Sequence, residues 1–436
     1  MPKIKTIRAR EIFDSRGRPT VEADVTLDDG SCGRACAPSG ASRGRYEAWE
    51  LRDGAPDRFG GLGVQCAVAH INGEVADALR GLDAREQTRI DRTMTELDGT
   101  PSLHRMGANA IVAVSMATAR AAANHHNVPL YRYIASLAGT NMSLPMPMTN
   151  ILSGGAHARC GMDLQDFLVM PIGARSYSQA LQMILKVRST AADLMQERRL
   201  TTLLADEGGL SPGFERAEQG LALMVQSFEA AGLKPGCDVA IALDVAASEL
   251  FGGDEYRLKQ EKRCLDGHSM VSFLADLTRR FPIISIEDPL EQDDWQHWRE
   301  LTRALADIQI VGDDLFVTNV ERIELGIGRE VANAVLIKLN QNGSLSGTLA
   351  AMAAAGTARY ATVVSARSGE TEDTFIADLA VGTGAGQIKI GSVRNSERMA
   401  KYNQLLRIEE AEELPFAGAS RVSASRLRQA QVAART

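Results

Sequence analysis

Six apolar runs in the chain each deliver a charged or hydroxyl side chain at or near their carboxyl ends. Asp244 ends VAIALD (239–244), Glu287 ends IISIE (283–287) and Asp313 follows IQIVG (308–312). Lys338 ends AVLIK (334–338), Arg367 and Ser368 follow ATVVSA (361–366), and Lys389 lies within IKIGS (388–392). A single Asp after a strand caps the next helix more often than it binds a ligand. Six such positions of one coherent chemistry are not explained by capping. Three carboxylates with no cysteine–histidine cluster suit a hard cation, Mg2+, which keeps waters and takes substrate oxygens. Two lysines, an arginine and a serine beside them describe an anion site around a metal, so the substrate carries carboxylate and phosphate. A lysine near bound cations has its ammonium form disfavoured and becomes a general base. Removing a proton next to a carboxylate creates a dianionic enolate, the kind of charge that metal ions stabilise.

Strand ends converge on one mouth in a (β/α)8 barrel, and the order of elements predicts that fold. Residues 3–40 read as strands, with Val21, Ala23, Val25 and Leu27 alternating before a turn at Asp29-Gly30. Residues 62–138 read as helices, and the alanine-rich stretch 108–123 reads as buried. From Leu144-Pro145 onward short apolar strands alternate with helix-length segments, adding MPMTNIL (146–152) and FLVMPI (167–172) to the six above. No helix separates those first two strands, so the barrel is predicted to be irregular. TTLLADEGG (201–209) is expected to be an excursion. The resulting division is an α+β domain at 1–140, a barrel at 141–417 and a basic tail at 418–436, expected to be disordered.

The 436 residues carry a net charge of −7, which excludes a general nucleic-acid surface. No apolar run suffices for a membrane span and the N-terminus lacks a secretory h-region. Cys32, Cys36, Cys66, Cys160, Cys237 and Cys264 are scattered, as in a reduced cytoplasmic protein. GTGAGQIK (382–389) does not sit between a strand and a helix as a dinucleotide loop must. His104, His125 and His126 lack partner acids in pattern, and Trp295 and Trp298 are spaced as helix packing residues.

Ordered motifs across nearly the whole chain resemble enolase, the phosphopyruvate hydratase of glycolysis: FDSRGRPTVE, PSGASRGRYEAWELRDG, ADEGGLSP, SIEDPL, VGDDLFVTN, LIKLNQNGSL, RSGETEDTF and KYNQLLRIEE. The resemblance implies a small α+β domain, an irregular barrel, two Mg2+ per site and a homodimer or larger assembly. It assigns Asp244, Glu287 and Asp313 to the first metal, and Ser42 to a second that arrives with substrate. Lys338 matches the base, and Glu207 the acid that assists departure of the β-hydroxyl. Lys389 matches the lysine beside the substrate carboxylate, and Arg367 and Ser368 the phosphate grip. His157 and Gln165 match further active-site positions.

Three positions depart from the family pattern. Where enolases have SHRSGE this chain has Ala366 before Arg367; the family's QEF is Gln165-Asp166-Phe167; and SGASTG is SGASRG, placing Arg43 beside Ser42. The first two changes enlarge the pocket and the third adds a cation. Together they fit a substrate with an extra acidic group near phosphorus, as for the enolase-like carboxyphosphonoenolpyruvate synthases of phosphonate and phosphinate antibiotic pathways. An ordinary enolase that tolerates the changes is the alternative. A non-catalytic enolase-derived binding protein is the alternative of another class. A racemase or cycloisomerase sibling would place lysines on the second barrel strand, and DFLVMPIG (166–173) has none.

Overall fold

A computed structural model describes residues 1–422. The N-terminal part is a three-stranded antiparallel sheet of β1 (Ile4–Phe13), β2 (Pro19–Leu27) and β3 (Cys32–Cys36). The predicted alternation holds: Val21, Ala23, Val25 and Leu27 are fully buried. The alanine-rich helix Ala108–His125 lies on that face against β2 and β3. Its small side chains allow a close approach. A Cβ on Gly33 of β3 would stand 2.1 Å from the Ala117 carbonyl oxygen and 2.4 Å from the Ala121 nitrogen.

The second part is a closed barrel of β4 (Met146–Ser153), β5 (Asp166–Met170), β6 (Ala240–Asp244), β9 (Ile283–Glu287), β10 (Gln309–Gly312), β11 (Ala334–Ile337), β12 (Ala361–Ser365) and β13 (Gly386–Lys389). A hairpin of β7 (Tyr256–Leu258) and β8 (Arg263–Leu265) lies outside it. All eight predicted barrel strands form. β13 starts earlier than IKIGS suggested, so Lys389 is its last residue, and the chain turns away at Gly391 (φ 104°). TTLLADEGG is not a strand: among the described residues it makes isolated bridges through Leu204 and turns.

The predicted irregularity has a structural form. β4 and β5 pair antiparallel, as do β5 and β6, while the other barrel pairs run parallel. Reversed β5 therefore starts, rather than ends, at the mouth: Asp166 pairs with Asp244, and Asp244 with Glu287. Below the rim the interior is filled by Met146, Met148, Leu168, Met170, Val311, Leu336 and Val363. Polar residues there satisfy one another: Gln309 and Gln387 each donate to the other's Oε1 at 2.9 Å, and Gln309 Nε2 also donates to Ser285 Oγ at 3.1 Å. Residues 418–422 do not behave as a free tail. Gly418–Arg421 forms a 3-10 turn, the Arg421 carbonyl accepts from Gln387, and Val422 closes the barrel floor. Residues 423–436 lie outside the described residues. Among the described residues no helix is long and apolar enough to cross a membrane.

The segment after β12 fastens the two parts together. Ser39 and Gly369 exchange backbone hydrogen bonds (2.9 and 2.8 Å), and Ser15 N–H donates to the Glu370 carbonyl (2.7 Å). Glu370 accepts from Arg367 N–H (2.9 Å) and pairs with Lys401 (3.0 Å). Asp373 pairs with Arg120 (2.6 Å) and accepts from Cys36 N–H (2.9 Å). These acids of RSGETED therefore hold the domains rather than a ligand. The close packing of β3 predicts that Gly33→Ala lowers unfolding free energy by about 1–3 kcal/mol. A denaturant midpoint equal to that of the parent chain would show that the helix yields at no cost.

Candidate active site

The rim of the barrel collects Asp244, Glu287, Asp313, Lys338 and Lys389 as the strand ends predicted. Lys389 Nζ donates to Asp244 Oδ2 (2.7 Å) and to both oxygens of Glu287 (2.8 and 2.7 Å). Lys338 Nζ pairs with Asp313, whose other oxygen accepts from Gln341 Nε2 (2.8 Å). Burial opposes charge on Lys389, but Asp244 and Glu287 outweigh it and hold its pKa well above the usual lysine range. Burial also opposes charge on Lys338, but Asp313 outweighs it and holds its pKa above the usual lysine value, against the pull of Arg367 and Lys389. Glu287 is pushed well above the carboxylate range by burial and then by Asp244.

Those acids fit a magnesium ion. They offer oxygen ligands only, which suits a hard cation, and they stand on neighbouring strand ends. Gln165 Nε2 donates to Asp244 Oδ2 (3.1 Å), and its Oε1 is buried without a hydrogen-bond partner among the described residues, a further oxygen at the same place. A second acid group, Asp288 with Asp313 and Asp314, was not anticipated. Asp288 is consumed by the backbone, accepting N–H bonds from Asp313 and Asp314 (both 2.8 Å). Doubled acids in SIEDPL and VGDD were the available signal.

The reversed β5 and the Glu207 excursion build a third group at the same cleft. His157 Nδ1 lies 3.0 Å from Asp166 Oδ2, and its Nε2 lies 3.8 Å from Glu207 Oε1. Asp166 accepts from Ser153 Oγ (2.6 Å) and Glu207 from Asn150 Nδ2 (3.2 Å). Burial disfavours charge on His157, but Asp166 and Glu207 outweigh it and push its pKa up to about 9. Burial also opposes ionisation of Glu207, yet His157, Arg398, Lys389 and Lys338 bring it down to about 2. Burial pushes Asp166 up against the pull of His157. In this group His157 carries the proton.

Arg367 and Ser368, the expected phosphate grip, sit at the domain junction. Arg367 is buried, with Nη1 donating to Glu47 Oε2 (2.9 Å) and Nη2 to the Ser42 carbonyl (2.9 Å). Gly40 leaves it room: a Cβ there would stand 1.9 Å from Arg367 Nη2. Ser368 Oγ accepts from Ala41 N–H (2.6 Å) and Arg16 Nη1 (3.3 Å). Glu47 and Arg16 were missed, since no short-range pattern marks contacts made across more than 300 residues.

Ser42, His157, Gln165, Glu207, Asp244 and Asp313 line one narrow cleft of about 20 Å³ together with Lys338, Ala366, Arg367, Ser368 and Lys389. Asp166 and Glu287 stand behind it, bonded to His157 and Lys389. Arg43 is not brought into the cleft. Its guanidinium stacks over the Trp49 ring, 4.6 Å from the centroid, and Trp49 stacks on His104 at 4.8 Å.

Residues 4–134 match the enolase N-terminal domain, and residues 141–425 match the enolase C-terminal TIM barrel domain. The chain belongs to the enolase family. It is therefore an enolase-type lyase, from a family that uses Mg2+ and binds small phosphorylated carboxylates. The enolase-family cleft of this chain predicts a distinct titration. His157 stays charged through neutral pH and loses its proton near pH 9, against 6.5 for a free imidazole. Its pKa is raised on folding, so its contribution to stability is complete below about pH 6.5 and is lost as pH rises through 9. Imidazole chemical shifts that titrate near 6.5 in the folded chain would contradict this.

Proposed function

We propose that this protein eliminates the β-substituent of 2-phosphoglycerate or of a derivative with an extra acidic group on phosphorus, giving a phosphoenolpyruvate-type product. The observation that carries the reading is the gathering of Lys338, His157, Glu207, Arg367 and Ser368 on one cleft, with His157 Nε2 3.8 Å from Glu207 Oε1.

Lys338 Nζ, as the free amine, takes the proton from the carbon bearing phosphate, and the electron pair moves onto the substrate carboxylate. Arg367 and Lys389 already act against the Lys338 ammonium, and relief of its contact with Asp313 releases the amine for this step. Asp244, Glu287 and Asp313, with Ser42 for a second ion, would hold Mg2+, which when bound would supply positive charge for the carboxylate on which negative charge develops. The pair then returns to form the double bond and the β-oxygen leaves with its bonding electrons. Its proton comes from the His157 side. Glu207 is ionised in the resting chain, so it relays a proton held on His157 rather than storing one of its own. Arg367 and Ser368 grip the phosphate, and Lys389 faces the carboxylate.

The departure from 2-phosphoglycerate rests on Ala366, which lines the cleft beside Arg367, and on Arg43. Among the described residues Arg43 has a ring contact and no acid partner, and it lines a second small cleft with Arg367 and Glu47. An extra acid on phosphorus is placed to draw it off Trp49. The position of Arg43 outside the main cleft favours the second reading, an ordinary 2-phosphoglycerate hydratase.

Initial rates with 2-phosphoglycerate and excess Mg2+ separate the two. The first reading predicts turnover orders of magnitude below the usual range of about 1–1000 per second, with a gain of at least about tenfold in Ala366→His/Arg43→Thr. Rates in the usual range for the parent chain would establish the ordinary enolase. In either case Lys338→Ala abolishes exchange of the proton on the carbon bearing phosphate; retained exchange would remove Lys338 from the role of base.

A further inference from the structure

The residues that follow Leu339, namely Asn340, Gln341 and Asn342, are all amides, and the middle one is 2% exposed with its whole side-chain amide engaged. Gln341 Nε2 donates to Asp313 Oδ1 (2.8 Å) and to Glu47 Oε1 (3.3 Å), while its Oε1 accepts from Thr318 Oγ1 (2.9 Å). Glu47 in turn accepts from Arg367 Nη1 through Oε2 (2.9 Å) and from Gly44 N–H through Oε1 (2.9 Å). The two hydrogens of one amide thus join an acid of the barrel rim to the acid that holds Arg367. A rotated amide would turn its oxygen toward two carboxylates, so the contacts admit a single orientation.

Thr318 fixes that orientation, and the backbone is bent to bring it there. Val317 and Thr318 both take positive φ, 43° and 50°. β-Branched residues are outliers in that region, and such backbone is costly unless its surroundings impose it. Here Asn342 Nδ2 donates to the Thr318 carbonyl (3.1 Å), and Thr318 Oγ1 accepts from Lys338 N–H (2.9 Å) while it donates to Gln341. The strained turn presents its hydroxyl to the amide that touches both acids.

We propose that Gln341 is a positioning residue of the cleft: anchored by Thr318, its amide sets Asp313 on the metal side and, through Glu47, Arg367 on the phosphate side, so that one side chain aligns both. This role rests on the reading of Asp313 as a magnesium ligand and of Arg367 as the phosphate grip. Gln341 acts through those two residues and not on the substrate.

Calorimetric titration of the full chain with magnesium chloride, and with inorganic phosphate at saturating Mg2+, tests this. Gln341→Met keeps the length of the side chain and removes its hydrogen bonds to Asp313, Glu47 and Thr318. It weakens both Mg2+ and phosphate at least about tenfold, the usual cost of losing an outer partner of a metal ligand. Thr318→Val weakens both in the same direction, and Thr318→Ser, which keeps the hydroxyl, returns both to parent values. That pair decides the matter if Gln341→Met fails to fold. A merely structural role would lower the melting temperature of Gln341→Met and Thr318→Val and leave both affinities unchanged, and that result overturns the proposal. So does the loss of one affinity without the other, since the two sides would then be set independently. A parent chain that binds neither Mg2+ nor phosphate overturns the reading of the cleft and this role with it. A parent chain that binds both, beside variants that bind them equally well, overturns the role alone.

Discussion

Lys389 ends β13 with its ammonium between Asp244 and Glu287, and much of the site follows from the charge balance it sets. Three carboxylates on neighbouring strand ends, all deep in the barrel mouth, repel one another in a medium that screens poorly. Lys389 holds two of them and Lys338 holds the third. Burial weighs most on Glu287, with Asp244 next, and its pKa rises well above the carboxylate range. Lys338 is held by Asp313 in the same way, and its charged form is favoured there.

The reversed strand is the second constraint. A regular barrel presents only the carboxyl ends of its strands to the mouth. Because β5 runs backward, its first residue stands at the rim beside Asp244 and places Asp166 where it can hold His157. The group of His157, Asp166 and Glu207 is thus built on a strand start and an excursion loop, and the two lysines stand on strand ends. The two groups sit on different elements of the fold, so their protonation states are set apart: one lysine among acids, one histidine between acids.

The fold was legible in the sequence because β-branched and apolar runs at helix-separated intervals leave little else to form, and the register brought the six predicted strand ends to one rim. Lys389, Glu287 and Asp244 could be found this way, since short-range pattern places a strand end. Asp166 and His157 could not. Antiparallel pairing of β5 depends on the short connection from β4 rather than on any property of DFLVM, and residue types alone would have looked for chemistry at Ile172. Arg16 and Glu47 were illegible for a different reason: they reach Ser368 and Arg367 only once the domains close on one another. The order of residues 418–422 was hidden by composition. Val422 finds its place only against a barrel floor that the tail's own residues do not reveal.

The departures from the enolase pattern are not spread evenly over this architecture. None touches the rim group of Asp244, Glu287, Asp313, Lys338 and Lys389, whose ion pairs depend on one another. Ala366 and Arg43 fall at the domain junction, where Arg367 is held by Glu47 and by the backbone of the 39–44 loop. That junction is assembled from loops, and a changed side chain there alters space and charge around the phosphate without disturbing the barrel. Asp166 keeps its bonds to Ser153 and His157 with a shorter side chain, so the proton store survives the change. The ion pairs of the strand ends and those of the domain junction are thus carried by separate parts of the structure, so a changed side chain at the junction leaves the rim pairs in place.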